Sequence, residues 1–318
     1  MHTWDAQLEE LASSVVRYAS ERARLDKDPR WGARSADELT AALADVVAPE
    51  GIGGDAALEV FKNVILPACR PNDDPLMVSY VPTAPTPAAV LFDMVVSASS
   101  IFAGHWEAGA GAIAAENQAL RWIMDIADFP PEAGGVFVSG GTAANLSALV
   151  TARESWHASN PERGMGTRLE LAAAAHSQHG DYLGYIERAE SNPSDLALHL
   201  TRRARGLPLW FSLAANGTSA YAEAIDTTMD TASAVAESVR SIDGLELAVA
   251  PRLSVVLFRR TGWEEDDYVA WSERNAAAGT ALIVPTRWDG EVCMRVCIVN
   301  PLTDAARLHE ILLDMAAA

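Results

Sequence analysis

A glycine-rich turn over residues 139–145 is the part of the sequence best suited to binding a small ligand. It consists of Ser-Gly-Gly-Thr-Ala-Ala-Asn, between an apolar run and a segment with helical character. Glycines let the backbone approach a ligand closely, and the free N–H groups at a helix start attract an anion. Thr142 and Asn145 add side-chain donors. The pattern favours a phosphate site, but an ordinary tight turn before a helix has the same residues, and neither standard nucleotide-binding glycine motif is matched.

A histidine, His176, ends the apolar run 169–177, which the sequence predicts to be a buried strand. An imidazole at the carboxyl end of a strand can stack on an aromatic cofactor or transfer a proton. A histidine that is hydrogen-bonded within a turn would give the same pattern. The residue type alone therefore leaves both roles open.

The chain has three cysteines, Cys69, Cys293 and Cys297. A small, odd number of cysteines argues against a disulfide framework. Cys293 and Cys297 lie four residues apart in a predicted strand, so they share one face and are expected in the core. A metal site would need two more ligands nearby, and none is evident. Buried structural thiols, and no metal, are predicted.

Composition limits the classes of partner. The chain has 318 residues, 49% of them apolar, and a net charge of −19. This charge repels nucleic acid and anionic lipid, so neither is an expected partner. The first residues lack a basic start followed by an apolar run, and no stretch approaches the roughly 20 apolar residues that span a bilayer. A soluble, cytoplasmic protein is predicted.

The elements that must position the glycine turn follow from periodicity and turn residues. Residues 1–70 are predicted to be helical, with a capping pattern at Ser35–Glu38. The proline-rich segment 74–87 is expected to be extended. Residues 103–112 are predicted as an irregular glycine-rich turn, and residues 113–129 as a helix. A short buried strand over Gly134–Ser139 should lead into the turn, with a helix from Thr142 onward.

The later part of the chain is predicted to combine a long helix with strands. The helix covers residues 218–242, and the strands lie within 245–260 and 281–300. Asp289–Gly290 is a typical hairpin turn between two of these strands. The last residues, 303–318, form a closing helix.

Six segments occur in an order and spacing that resemble one enzyme family. They are VSYVPTAPTPAAVLFDMVVSASS, GHWEAGAGAIAAENQALRWIMDIADFP, GGVFVSGGTAANLSALVTARE, AAAAHS, TRRARGLPLWFSLAANGT and MRVCIVNPLT. Together they resemble the group II pyridoxal-phosphate decarboxylases, the family of the aromatic-L-amino-acid and glutamate decarboxylases. The resemblance extends over almost the whole chain.

The resemblance implies an α/β fold, the fold type I transferase fold, with a mostly parallel sheet and a small C-terminal α+β domain. It implies pyridoxal phosphate as cofactor, an L-amino acid as substrate and a homodimer. The domains it implies are a helical segment (1–73), a cofactor-binding domain (74–215) and a small domain (216–318).

It also implies roles for individual residues. Gly141, Thr142, Ala143 and Asn145 would lie at the cofactor phosphate, and His176 would stack on the ring. The substrate pocket would be lined by Tyr80, Val81, Pro82 and Thr83, and a mobile loop would correspond to Glu187–Leu200.

The chain departs from the family where the cofactor is attached. In the family, a lysine and a pyridinium-binding carboxylate follow the segment that matches His176, but here Gln178 runs directly into sequence that resembles a much later region. Lys27 and Lys62 are the only lysines, and both precede the glycine turn. Neither Asp181 nor Asp195 lies in a matching motif. The central part of the large domain is therefore expected to be missing at about residue 178.

Three functions stay open at this point. The chain could be a decarboxylase impaired by the loss of the lysine segment, a non-catalytic partner of a full-length decarboxylase, or another fold type I enzyme such as an aminotransferase. The shortened domain could be partly formed, rearranged or completed by a partner. By family analogy an aromatic or other bulky substrate is favoured, and glutamate or a diamine-type amino acid stays open.

Overall fold

The computed structural model describes most of the chain, namely residues 4–24, 32–47, 49, 51–159, 193 and 202–318. Several predicted features lie outside these residues: the strand 169–177 with His176, the departure at residue 178, Asp181, Asp195 and, apart from Pro193, the loop Glu187–Leu200.

The helices of the described chain are α1 (Ala6–Arg22), α2 (Ala36–Leu43), α3 (Gly54–Val60), α4 (Pro87–Ala98), α5 (Trp106–Ile126), α6 (Gly141–Ser159), α7 (Leu207–Asn216), α8 (Thr218–Ser241), α9 (Glu265–Ala278) and α10 (Ala305–Ala317). A π-helical turn (Phe61–Ile65) and a 3₁₀ turn (Leu66–Ala68) follow α3. The strands are β1 (Leu245–Leu247), β2 (Val255–Arg260), β3 (Pro285–Trp288) and β4 (Glu291–Cys297).

The chain divides into two compact units. One combines Met1–Pro87 with Thr218–Ala318, and the other is Ala88–Gly217. The division into domains at 1–73, 74–215 and 216–318 stays a prediction.

In the first unit, the N-terminal helices begin at residues that satisfy their free N–H groups. The Asp5 side chain accepts a 3.0 Å hydrogen bond from the Leu8 amide at the start of α1. At the start of α2, Ser35 and Glu38 bond reciprocally, each side chain accepting from the other residue's amide. The predicted capping box is thus confirmed. Hydrogen bonds from Ser35 lower the pKa of the Glu38 carboxyl by favouring its charged form.

The C-terminal part of the same unit is an antiparallel sheet with the strand order β1-β2-β4-β3. Asp289 and Gly290, both with positive φ (53° and 81°), connect β3 to β4, which confirms the predicted hairpin turn. Helices α8, α9 and α10 contact the sheet or each other. The core they enclose contains large, fully buried side chains, among them Phe258, Trp271, Ile283, Met294 and Leu312.

Helix α9 was not predicted from the sequence, although its ends carry local signals. Glu264 and Asp267 form a capping box at its start. Gly279 follows its end with φ 69° and ψ 20°, the left-handed conformation that often ends a helix.

In the second unit, the predicted glycine-rich turn over 103–112 is wrong, because helix α5 already begins at Trp106. Gly109 interrupts the helix with φ −138° and ψ 26°. A Cβ atom there would lie 2.5 Å from the carbonyl oxygen of Phe102. The glycine is needed for this close backbone approach, whereas Gly111, in the same helix, has open space around it.

The predicted buried strand over Gly134–Ser139 is also wrong. None of its residues is fully buried, and the segment is irregular. A strand requires a neighbour with which to exchange backbone hydrogen bonds, and no other described residue forms such a bond with residues 134–139. The helix predicted from Thr142 onward is present as α6.

The described residues contain neither a membrane-spanning helix nor a cluster of metal ligands. No helix there has both the length and the apolar character needed to cross a bilayer. No group of three or more His, Cys, Asp or Glu side chains there is arranged to hold a metal ion.

The close approach at Gly109 predicts opposite effects for two alanine substitutions in α5. Gly109→Ala should lower the free energy of unfolding by about 1–3 kcal/mol, the usual cost of overpacking. Gly111→Ala should raise it by about 0.5–1 kcal/mol, because alanine favours a helix interior. Urea unfolding of both variants measures the difference. Equal effects at the two sites would contradict the structure.

The buried thiols predict selective labelling. Cys293 and Cys297 are buried, as predicted, while Cys69 is exposed. Burial raises the pKa of both buried thiols, so less reactive thiolate is present near neutral pH. A thiol reagent at pH 7 should therefore modify Cys69 alone in the native protein and all three cysteines in urea. Rapid native labelling of a Cys69→Ser variant would show that the β4 thiols are accessible.

Candidate cofactor site

The glycine turn leads directly into helix α6. The Ala144 amide donates to the Gly140 carbonyl at 3.0 Å, which is the first hydrogen bond of the helix. The amides of Gly141, Thr142 and Ala143 have no backbone acceptor among the described residues. The positive end of the helix dipole is therefore combined with amides that no described backbone acceptor occupies, an arrangement that suits an anion.

The surroundings of the turn leave room for a ligand. Thr142 and Asn145 are exposed, and Ala143 is half-buried. A Cβ atom added at Gly140 or Gly141 would meet no atom within 4 Å. The residues at this turn thus fit a phosphate group in charge, hydrogen bonding and space.

The attachment of pyridoxal phosphate through its aldehyde does not fit this chain. A Schiff base needs a lysine amine, and the sequence has no lysine after Lys62. Lys62 lies in the first unit, with its Nζ atom 2.6 Å from Oε1 of Glu59. Lys27 lies outside the described residues.

The segment predicted to contact substrate belongs to the first unit. Tyr80 and Val81 are 58% and 75% exposed, Thr83 is exposed and Pro82 is buried. Tyr80 has a φ of 62°, an uncommon conformation for a bulky residue.

The residues just before Tyr80 are joined to the C-terminal sheet region. The Ser79 hydroxyl donates to the Leu282 carbonyl at 2.7 Å and accepts from the Val284 amide at 2.9 Å. The Cys297 amide donates to the Val78 carbonyl at 2.8 Å. Met77 forms an isolated parallel bridge with Leu282. These contacts determine where the 80–83 segment leaves the sheet.

A buried ion pair lies at the centre of the second unit. The guanidinium of Arg202 donates to both carboxylate oxygens of Glu116, at 2.7 and 3.0 Å, and the two side chains are only 4% and 3% exposed. Arg202 also donates to the carbonyls of Ala103, at 2.8 Å, and Phe137, at 3.2 Å. The Gly206 amide donates to Glu116 at 2.6 Å. The pair thus connects α5, the segment before the glycine turn and the segment before α7.

Residues after Arg202 continue this packing against α4 and α5. Arg203 pairs with Asp93 at 2.7 Å, and the indole of Trp210 donates to Gln118 at 2.6 Å. The rings of Phe211 and Phe92 are stacked with centroids 3.8 Å apart.

Glu116 and Arg202 are not among the residues that the sequence predicts to form a site. The available signal was an acidic residue between Ile113, Ala119 and Leu120 on the apolar side of a predicted helix. Such a buried acid needs a cationic partner.

The buried pair predicts unequal effects for two neighbouring arginines. Arg202→Met should lower the free energy of unfolding by about 3–5 kcal/mol, because Glu116 is left as an unpaired buried charge. Arg203→Met removes a half-exposed pair and should cost about 0–1 kcal/mol. Urea unfolding followed by tryptophan fluorescence gives both values. Similar costs would show that Glu116 is solvated or paired elsewhere.

Comparison with known proteins supports the resemblance seen in the sequence. Residues 44–179 match the model of the pyridoxal-dependent decarboxylase conserved domain. The chain is 39% identical over 83 residues to an aromatic-L-amino-acid decarboxylase of Bacillus atrophaeus, a match covering 26% of this chain and 17% of that protein. It is 32% identical over 140 residues to an L-2,4-diaminobutyrate decarboxylase of Rhizobium meliloti, a match covering 42% of this chain and 28% of that protein. The matches thus span less than a third of either relative.

Solved structures establish the fold over a longer range. A structure of Oryza sativa TDC with PLP and tryptamine superposes with a TM-score of 0.85 at 14% identity, covering 99% of both chains. Catharanthus roseus tryptophan decarboxylase with L-tryptophan gives a TM-score of 0.81 at 12% identity, covering 100% of this chain and 99% of that chain. The predicted fold type I class is confirmed. The strands of the described residues belong to its C-terminal α+β part and are antiparallel.

The glycine turn, the shared fold and the match over residues 44–179 all agree with a pyridoxal-dependent decarboxylase domain. Pyridoxal phosphate is the cofactor of the family concerned. Residues 44–179 of this chain are similar to the conserved domain of the pyridoxal-dependent decarboxylases.

Proposed function

We propose that this chain descends from a decarboxylase of L-amino acids, and that its own decarboxylation is impaired because the Schiff-base lysine segment is absent. The proposal rests on a glycine turn, Gly140–Asn145, whose backbone amides suit a phosphate, in a chain with no lysine beyond Lys62. The family's cofactor supplies an electron sink for the carbanion left by loss of carbon dioxide, once it is joined to the amino acid.

In this proposal the chain retains noncovalent contacts with pyridoxal phosphate. The amides at the start of α6, with Gly141, Thr142, Ala143 and Asn145, would bind the phosphate. His176 would stack on the ring. These contacts favour binding but provide no covalent resting state, so the affinity should be lower than that of a lysine-bound cofactor.

The proposed substrate is an L-amino acid with an aromatic or other bulky side chain. Tyr80, Val81, Pro82 and Thr83 would line its pocket, and Val81 with Pro82 would supply an apolar wall. The two curated relatives act on different kinds of amino acid by name, an aromatic one and a diamine-type one. By analogy with the family we also propose a cytoplasmic homodimer.

The second candidate is a non-catalytic subunit that pairs with a full-length decarboxylase. The missing lysine favours it, because a subunit without the covalent attachment site can still contribute surface to a dimer. Co-purification with a full-length homologue, by a chain that binds no cofactor, would support this candidate over the first.

The first proposal predicts cofactor binding without a trapped lysine. Wild type and a lysine-free variant, Lys27→Arg/Lys62→Arg, would be mixed with pyridoxal phosphate, treated with borohydride and mapped by peptide mass spectrometry. Both should bind the cofactor reversibly and equally, with no stoichiometric lysine adduct. The Lys62 substitution should cost little stability, because its pair with Glu59 is exposed.

Carbon dioxide release from a panel of L-amino acids completes the test. Neither protein should exceed the rate of free pyridoxal phosphate. Turnover at ordinary enzyme rates, about 1–1,000 per second, or a stoichiometric adduct on Lys27 or Lys62, would overturn the proposal.

A further inference from the structure

We infer that Glu116 and Arg202 are positioning residues for the cofactor phosphate turn. They hold the segment Val136–Val138, which leads into Gly140. The hydrogen bond from Arg202 to this segment replaces the backbone hydrogen bonds that a neighbouring strand would provide. This inference rests on the proposed binding of pyridoxal phosphate at the turn. It assigns a role to two residues that do not belong to the phosphate-binding motif itself.

The segment before the turn needs a substitute for sheet pairing. Phosphate binding by backbone amides depends on the amides being fixed before the ligand arrives, since ordering them on binding costs conformational entropy. Residues 134–139 form no backbone hydrogen bond with any other described residue. The Phe137 carbonyl instead accepts a hydrogen bond from Nη2 of Arg202.

The Arg202 side chain is itself fixed by several hydrogen bonds, so it can fix the Phe137 carbonyl. Its two terminal nitrogens are bonded to both oxygens of Glu116, and Nη1 is also bonded to the Ala103 carbonyl. A planar guanidinium in such a two-pronged contact loses little further freedom when it donates again. Burial of the pair excludes competing water, since each side chain is less than a twentieth exposed.

A packing contact fixes the same residue from the other side. A Cβ atom on Gly206 would lie 2.3 Å from the Phe137 ring and 2.9 Å from Cγ of Glu116. The bare glycine therefore lets the ring rest directly against the backbone. The Gly206 amide also donates to Glu116. Phe137 is thus held through its carbonyl by Arg202 and through its ring by Gly206.

A purely stabilising role explains this arrangement less well. A buried ion pair is weak support for stability, because well-packed apolar residues of similar volume are often as stable. What apolar residues cannot do is donate to the Phe137 carbonyl. A paired apolar replacement therefore separates positioning from stability.

The test uses Glu116→Leu/Arg202→Met, with Arg203→Met/Asp93→Leu as the matched control. The control removes the ion pair between Arg203 and Asp93. This pair is half-exposed and forms no hydrogen bond with Phe137. The probes are pyridoxine 5′-phosphate and pyridoxine, which lack the aldehyde and cannot react with lysine. The quantity measured by titration calorimetry is the ratio of their dissociation constants, which isolates the phosphate contribution.

Wild type and control should bind the phosphorylated probe at least about tenfold more tightly, as expected for charge-assisted hydrogen bonds. In the double variant this ratio should fall toward one, while pyridoxine affinity stays the same. Gly206→Ala keeps both charged residues, but its Cβ displaces the Phe137 ring and crowds Cγ of Glu116, so it should lower the ratio as well. It provides the test if the double variant does not fold.

The outcomes distinguish the two levels of the proposal. A wild-type ratio near one would overturn both the phosphate site and the positioning role. A high wild-type ratio that persists in the double variant, or in Gly206→Ala, would overturn the positioning role alone. A high ratio in wild type and control that collapses in both perturbed variants supports it.

Discussion

The buried pair of Glu116 and Arg202 is the interaction on which the second unit depends. It joins residues 86 positions apart in the chain and makes further hydrogen bonds with the carbonyls of Ala103 and Phe137 and the amide of Gly206. Because both charges are almost fully removed from water, neither can be left alone without a large cost. The pair therefore specifies one arrangement in which the segment before α7 returns to α5.

In the first unit, a smaller polar contact has a comparable role. The Ser79 hydroxyl both donates to and accepts from the backbone at residues 282–284. This contact adds the segment before Tyr80 to the region beside the antiparallel sheet. The sheet supplies the rigid core, and the short segment determines where the candidate substrate residues begin. In each unit, residues proposed for ligand binding are held by residues distant in sequence.

Much of the local structure, and one decisive chemical fact, could be predicted from the sequence. The capping box at Ser35, the hairpin turn at Asp289–Gly290 and the buried cysteines follow from short-range rules, because each depends on neighbours within a few residues. The absence of a lysine after Lys62 is a matter of composition that no folding can change. The resemblance to the decarboxylase family followed from several short segments in order.

Only the tertiary structure decided which segments with the composition of a strand or a turn had the neighbours that such an element requires. Gly134–Ser139 has the composition of a strand but no described strand to pair with, and its Phe137 carbonyl accepts a hydrogen bond from Arg202. Gly109 resembles a turn residue, yet it lies within α5. A glycine is needed there because the Phe102 carbonyl approaches too closely for a side chain. The sequence by itself determined which donors the glycine turn contains and that no lysine follows Lys62. The contacts that fix that turn were decided by the fold, because they join residues that only long-range packing brings together.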